Sequence, residues 1–193
     1  MSGQTNTLST ASGQGTPGGG RIVKCGDKVA ISLVGSALNW DCGGDHVALT
    51  DKSNKQVEIL WANAGGASPT PGQALTNGCY VRLASAINSG PNRFLQAYQG
   101  GDHGGDPNRV MIGAFAAPSE YSIFYVRKVS GAPGSVIERG DQVQIRGTYH
   151  DPWLAVGSTS AAGDAVGLVH HPESDDPQSD VAHWTFGNND GSE

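Results

Sequence analysis

The sequence predicts an all-β fold of twelve short strands in three similar four-stranded units. Three observations predict it. Glycine and proline contribute 29 and 10 of the 193 residues, so turn signals punctuate the whole chain. Runs such as SIFYVRKV (122–129) and DQVQIRG (141–147) are rich in β-branched and aromatic residues, and no long helical periodicity competes with them. Finally, the runs repeat.

The elements follow in chain order. Each unit opens on G-x-x-V-x-[IL]: GDKVAI (26–31), GCYVRL (78–83) and GDQVQI (140–145). A second run follows: ALNW (37–40), FLQA (94–97) and WLAV (153–156), with Leu38, Leu95 and Leu154 aligned. The third runs are VAL (47–49), VMI (110–112) and VGL (166–168); the fourth are LWA (60–62), FYV (124–126) and WTF (184–186). Apolar residues two apart share one face of a strand, so the three units can fill a common core. The Val anchors, Val29, Val81 and Val143, are 52 and 62 residues apart, and loops absorb the difference cheaply.

Three such units, with a V-x-L strand, an aromatic-Leu pair and an aromatic closing strand, resemble a β-trefoil. The pattern is most similar to the fascin-like and lectin-like members, over residues 22–187. The resemblance implies that the first and fourth strands of each unit build a six-stranded barrel, capped at one end by hairpins of the second and third. The expected units are 21–65, 75–128 and 136–187. The Gln-x-Trp of ricin-type lectins is absent from ILWAN, IFYVR and AHWTF, so ricin-type sugar sites do not carry over.

Residues 1–20 hold no Asp, Glu, Lys or Arg and almost no large apolar side chain. Such a segment cannot offset its ordering entropy and is expected as a flexible tail, or as an arm that docks on a partner. Residues 188–193 are expected to fray. The N-terminus lacks the basic and apolar regions of a secretory signal, which points to a cytoplasmic protein or one exported by a non-classical route. No apolar run is long enough to span a bilayer. A net charge of −6, with only twelve scattered basic residues, argues against nucleic acid or anionic membranes as partners. Cys25, Cys42 and Cys79 are odd in number, so at least one is free or pairs between chains, and reduced thiols are expected.

Gly-Gly-Asp-His occurs twice, at 43–46 and 100–103, each time between the second and third runs. Unit three has Gly163 and Asp164 there without a histidine. Gly supplies positive φ and Asp bonds its own backbone, so a tight turn accounts for Gly-Asp. It does not account for His46 and His103, which with Asp45 and Asp102 form one candidate contact set. Those four residues and Asp106 match no known metal cage, so no metal site is assigned. The acidic stretch from His170 and His171 to Asp175 and Asp176 reads as a solvated loop.

A second set lies before the second strands. Tyr149, His150 and Asp151 combine an aromatic plane for a sugar's C–H face with acceptors for its hydroxyls. The matching loop of unit two offers Asn88, Asn92 and Arg93. Trp40 and Tyr98 are further possible platforms, although Trp40 aligns with core positions. No G-x-S-x-G, H-E-x-x-H or P-loop occurs, and adjacent His150 and Asp151 point apart on an extended chain, so no enzyme and no cofactor are expected. The expected function is a binding module, lectin-like toward carbohydrate or directed at a protein surface. The alternatives are an assembly subunit docking through residues 1–20, or an inhibitor- or toxin-like trefoil whose loops plug a target.

Overall fold

A computed structural model describes residues 22–36, 38–42, 47–51, 57–65, 67–87, 93–99, 110–148, 152–157, 165–170 and 182–187. The strands are β1 (Lys28–Leu33), β2 (Asn39–Asp41), β3 (Ala48–Thr50), β4 (Val57–Trp61), β5 (Cys79–Ser85), β6 (Phe94–Gln99), β7 (Val110–Phe115), β8 (Ile123–Lys128), β9 (Gln142–Gly147), β10 (Pro152–Gly157), β11 (Ala165–His170) and β12 (Trp184–Gly187). Among the described residues no helix is long and apolar enough to cross a membrane.

Antiparallel pairing closes six strands into a barrel. Around the wall, β1 pairs with β12, β12 with β9, β9 with β8, β8 with β5, β5 with β4, and β4 returns to β1. The other strands form the hairpins β2–β3, β6–β7 and β10–β11. This is the trefoil-like arrangement of wall and hairpins. Period-two patterning builds the wall. Val29 and Ile31, Val57 and Ile59, Val81 and Leu83, Phe124 and Val126, Val143 and Ile145, and Trp184 and Phe186 all point inward and are fully buried. Burial of each such side chain contributes about 1.5–3 kcal/mol. Trp40 fills the hairpin end of the core and meets Trp184 edge-on, with ring centroids 5.5 Å apart.

The opposite end carries a floor that the repeat motif does not include. Val23, Leu75 and Ile137, each three residues before a glycine, are fully buried. Their backbones form a closed ring. Val23 N–H donates to Ile137 O (3.0 Å), Ile137 N–H to Leu75 O (2.9 Å), and Leu75 N–H to Val23 O (2.8 Å). The glycines that follow, Gly26, Gly78 and Gly140, have φ of 98°, 92° and 86°. Their N–H groups donate to wall strands β4, β8 and β12, at Ile59, Val126 and Phe186 respectively. Asp27 and Asp141 complete two of these turns by accepting the N–H of Lys24 and Glu138 through Oδ2. Arg139, almost buried, then joins Asp27 across the floor at 3.4 Å.

The pairing corrects the sequence alignment in three places. Asn39 takes the partner position that Phe94 and Trp153 take in their units, so Trp40, not Leu38, matches Leu95 and Leu154. Ala48, Gly113 and Gly167 are likewise equivalent, which moves the third run of unit two by two residues. These slips are even and keep the same face inward. The fourth run of unit one is out by three: Ile59, not Ala62, matches Val126 and Phe186. That odd slip flips the face, so Leu60 points outward and Val57 and Ile59 fill the barrel. Cys25, Cys42 and Cys79 are all buried in the core.

Candidate functional site

Asp45, His46, Asn88, Asn92, Asp102, His103, Tyr149, His150 and Asp151 lie outside the described residues, as do Asp106, Asp164, His171, Asp175 and Asp176. The strands that carry them are described, and they separate the nine candidates into two groups. β3 starts two residues after the first Gly-Gly-Asp-His stretch and β7 seven residues after the second. Both pair with β11, Ala48 opposite Ala165 and Met111 opposite Gly167. β3 and β7 are therefore both tethered to one strand. Asn88, Asn92 and Tyr149–Asp151 precede β6 and β10 in sequence, and Phe94 and Trp153 near the starts of those strands pair with the wall. Along β6 the two ends are five residue steps apart, about 17 Å at the usual strand rise.

Two further candidates are placed directly. Trp40 is fully buried and serves as core rather than as a sugar platform. Arg93 pairs with Glu58 on the wall and its guanidinium lies 5.7 Å from the Phe94 ring centroid. Tyr98 lies on β6, but its side chain is outside the described set. Among the described residues no group of three or more His, Cys, Asp or Glu side chains is placed to hold a metal ion.

The structure assembles another site on the outer wall. The strand positions that alternate with the core residues put Tyr80, Tyr125, Arg127, Gln144 and Arg146 on the outside of β5, β8 and β9. Tyr80, Tyr125 and Arg146 stand in one cross-strand row. The Arg146 guanidinium lies 4.9 Å from the Tyr125 centroid, and the Tyr80 ring packs against Tyr125 at 5.2 Å. Toward the floor the wall opens into a groove of about 480 Å³, lined by Asn77, Tyr125, Arg127, Lys128, Gln144 and His183.

Short-range bonds hold this groove in shape. Arg127 Nε donates to Gln144 Oε1 at 3.0 Å. Asn77 Oδ1 accepts the Lys128 N–H at 2.8 Å, and its Nδ2 donates to the carbonyls of Gly131 and Ala132 at 3.1 Å each. Lys128 Nζ pairs with Asp141 at 2.8 Å. Gly78 leaves room for the Tyr125 hydroxyl: a Cβ there would stand 3.3 Å from Oη. Reading the runs for their core face alone passes over these residues. The signal was the opposite parity of the same runs, Tyr-x-Arg in β8 and Gln-x-Arg in β9.

No family model matches the chain, and no curated protein matches it. Solved structures share its fold. A Caenorhabditis elegans protein of unknown function superposes with a TM-score of 0.65 at 13% identity, over 87% of this chain and 97% of that one. The SDF2-like protein from Arabidopsis thaliana gives 0.60 at 9% identity, over 86% and 95%. The botulinum neurotoxin serotype D ligand-binding domain, solved in complex with N-acetylneuraminic acid, gives 0.60 at 11% identity, over 87% of this chain and 42% of that chain. At these identities the likeness is one of backbone arrangement.

Proposed function

We propose that this chain is a non-catalytic binding module, a β-trefoil of three quasi-equivalent units (21–65, 75–128 and 136–187) that recognises carbohydrate through its hairpin cap. The observation that carries the reading is the double pairing of β11. It tethers the strands that follow both Gly-Gly-Asp-His stretches to one element. Tight turns need the Gly and Asp but not His46 and His103. Two imidazoles and two carboxylates offered from neighbouring hairpins supply donors and acceptors for sugar hydroxyls. Tyr149, His150, Asp151, Asn88 and Asn92, which precede β10 and β6 in sequence, form a second candidate rim. Among solved structures of this fold is a ligand-binding domain holding a sugar, which supports the choice of ligand class.

The test is a glycan array on the full chain, followed by His46→Ala/His103→Ala and Asp151→Ala. Binding that is lost in the double histidine variant, with an unchanged melt, supports the cap. Binding lost only in Asp151→Ala moves the site to the rim. No glycan signal at any density rejects the carbohydrate reading.

One observation favours a second reading, an assembly subunit whose residues 1–20 dock on a neighbour. Ile22 bridges Glu138 on the barrel floor, and Ile22 and Val136 both expose apolar side chains there. Particles far larger than the monomer that vanish when residues 1–20 are deleted support assembly; a monomer throughout rejects it.

A further inference from the structure

We propose that the outer face of the barrel floor is an interface for a second copy of this chain, packed about a twofold axis. This contact is independent of the hairpin cap and of residues 1–20. The residues on either side of Val23, Leu75 and Ile137 form the face. Those three point into the barrel, so their neighbours point away from it. Bridges set the order around the ring: Ile22 lies opposite Glu138, Lys24 opposite Ala74, and Thr76 opposite Val136. Circling the floor, the outward residues are therefore Ile22, Lys24, Ala74, Thr76, Val136 and Glu138, apolar and polar by turns. Ile22, Lys24, Val136 and Glu138 are exposed. Among the described residues the large exposed hydrophobics are Ile22, Trp61, Ile87, Val129 and Val136, and all but Ile87 lie at this end. Trp61 ends β4 and Val129 follows β8, each just past the carbonyl that receives a floor glycine N–H. Apolar exposure gathered on one face and rimmed by polar groups marks a contact surface.

The order of the ring identifies the partner. Ile22 stands between Lys24 and Glu138, and Thr76 stands directly across from it. A second copy turned over about a line in the face, through Ile22 and Thr76, matches every position. Ile22 and Thr76 meet their own counterparts, Ala74 meets the partner's Val136, and Lys24 meets the partner's Glu138. The last two contacts each occur twice, as a twofold interface requires. Apolar thus faces apolar, and each charge faces its opposite. Among the described residues neither Lys24 nor Glu138 has an ion-pair partner, whereas the charges beside them are balanced, Arg139 by Asp27 and Lys128 by Asp141. The face is therefore neutral on a chain whose net charge is −6, and two copies repel each other least there.

The test is sedimentation velocity of the full chain at rising concentration. So small a face predicts a weak dimer, with a dissociation constant of about 10–100 µM. Lys24→Glu and Glu138→Lys each set two like-charged pairs against one another, and each is expected to weaken the dimer at least about tenfold with an unchanged melt. Mixing the two variants restores opposite charges at both pairs. The equimolar mixture is expected to dimerise as the wild type does, and so is the double variant Lys24→Glu/Glu138→Lys. Deleting residues 1–20 is expected to leave the dimer intact, as is His46→Ala/His103→Ala, so this contact, the docking arm and the cap fail separately. A wild-type chain that stays monomeric well above about 100 µM overturns the proposal. So does a dimer that survives both single charge reversals, a mixture of the variants that stays monomeric, or a dimer that is lost with residues 1–20.

Discussion

The N–H of Val23 donates to the carbonyl of Ile137 at 3.0 Å, although 114 positions of sequence separate them, and this bond closes the ring that Leu75 completes. Each of the three residues gives one backbone bond and receives one, and each sinks its side chain into the barrel. The bonds satisfy polar backbone where the chain turns beneath an apolar core, and the side chains exclude water from below. The barrel is thus stoppered by three residues that belong to no strand.

Ile137→Ala is therefore expected to destabilise the protein by about 2–5 kcal/mol, the range for truncating a fully buried aliphatic side chain. A urea melt measures it. A loss below about 0.5 kcal/mol would mean that the floor collapses around the missing atoms or never belonged to the core.

The three floor glycines differ in a testable way. Gly26, Gly78 and Gly140 all have positive φ, so alanine costs about 1–2 kcal/mol at each through backbone strain. At Gly26 and Gly140 an added Cβ meets nothing within 4 Å, whereas at Gly78 it meets the Tyr125 hydroxyl at 3.3 Å. Gly78→Ala is expected to be the most costly of the three and to shift the Tyr125 ring signals. Equal melts for all three would show that the tyrosine gives way freely.

Trp40 stands where the other units have Leu95 and Leu154. It is fully buried, packs edge-on against Trp184, and its indole N–H has no acceptor among the described residues. Trp40→Ala is expected to cost about 3–5 kcal/mol. Trp40→Leu should cost clearly less, since it keeps apolar volume and removes a buried donor left without a partner. Equal costs in the same thermal melt would argue against the register that makes Trp40 and Leu95 equivalent.

The wall was legible because period-two burial leaves its mark on every strand: G-x-x-V-x-[IL] names six of the twelve inward residues directly. Trp40 was harder to place. Leu38 satisfies the same apolar spacing two residues earlier, and an even slip preserves the face, so burial cannot tell the two registers apart. Ile59 lost to Ala62 for a different reason, the apolar run Ile-Leu-Trp-Ala, in which alternation is blurred. Val23, Leu75 and Ile137 were invisible as core because an apolar pair just ahead of a glycine is too short to read as a strand. Their role depends on a ring closed between units, which no local pattern encodes. The wall groove is likewise made by register: Tyr125, Arg127 and Gln144 become neighbours only once β8 pairs with β9. The nine loop candidates rest on turn chemistry and residue type, and they lie outside the described residues.

Cys79 gives the fold a pH dependence at the alkaline end. It is fully buried, and loss of solvation, with a smaller contribution from nearby Cys25, pushes its thiol from the ordinary 9.0 up to about 11. Burial raises Cys25 as well. Between those two values the unfolded chain releases a proton that the folded protein keeps. Stability from this source is fully present below about pH 9 and declines as the pH rises toward about 11. A displacement of this size corresponds to a loss on the order of 2–3 kcal/mol across the interval. Urea melts from about pH 8 to about pH 11 should show the decline, and Cys79→Ala should flatten it, leaving the slope due to tyrosines and lysines. The same burial should keep Cys25 and Cys79 unreactive toward Ellman's reagent until the protein is denatured. An identical pH slope in wild type and Cys79→Ala, or rapid labelling of Cys79 in the native state, would show that the thiol meets water.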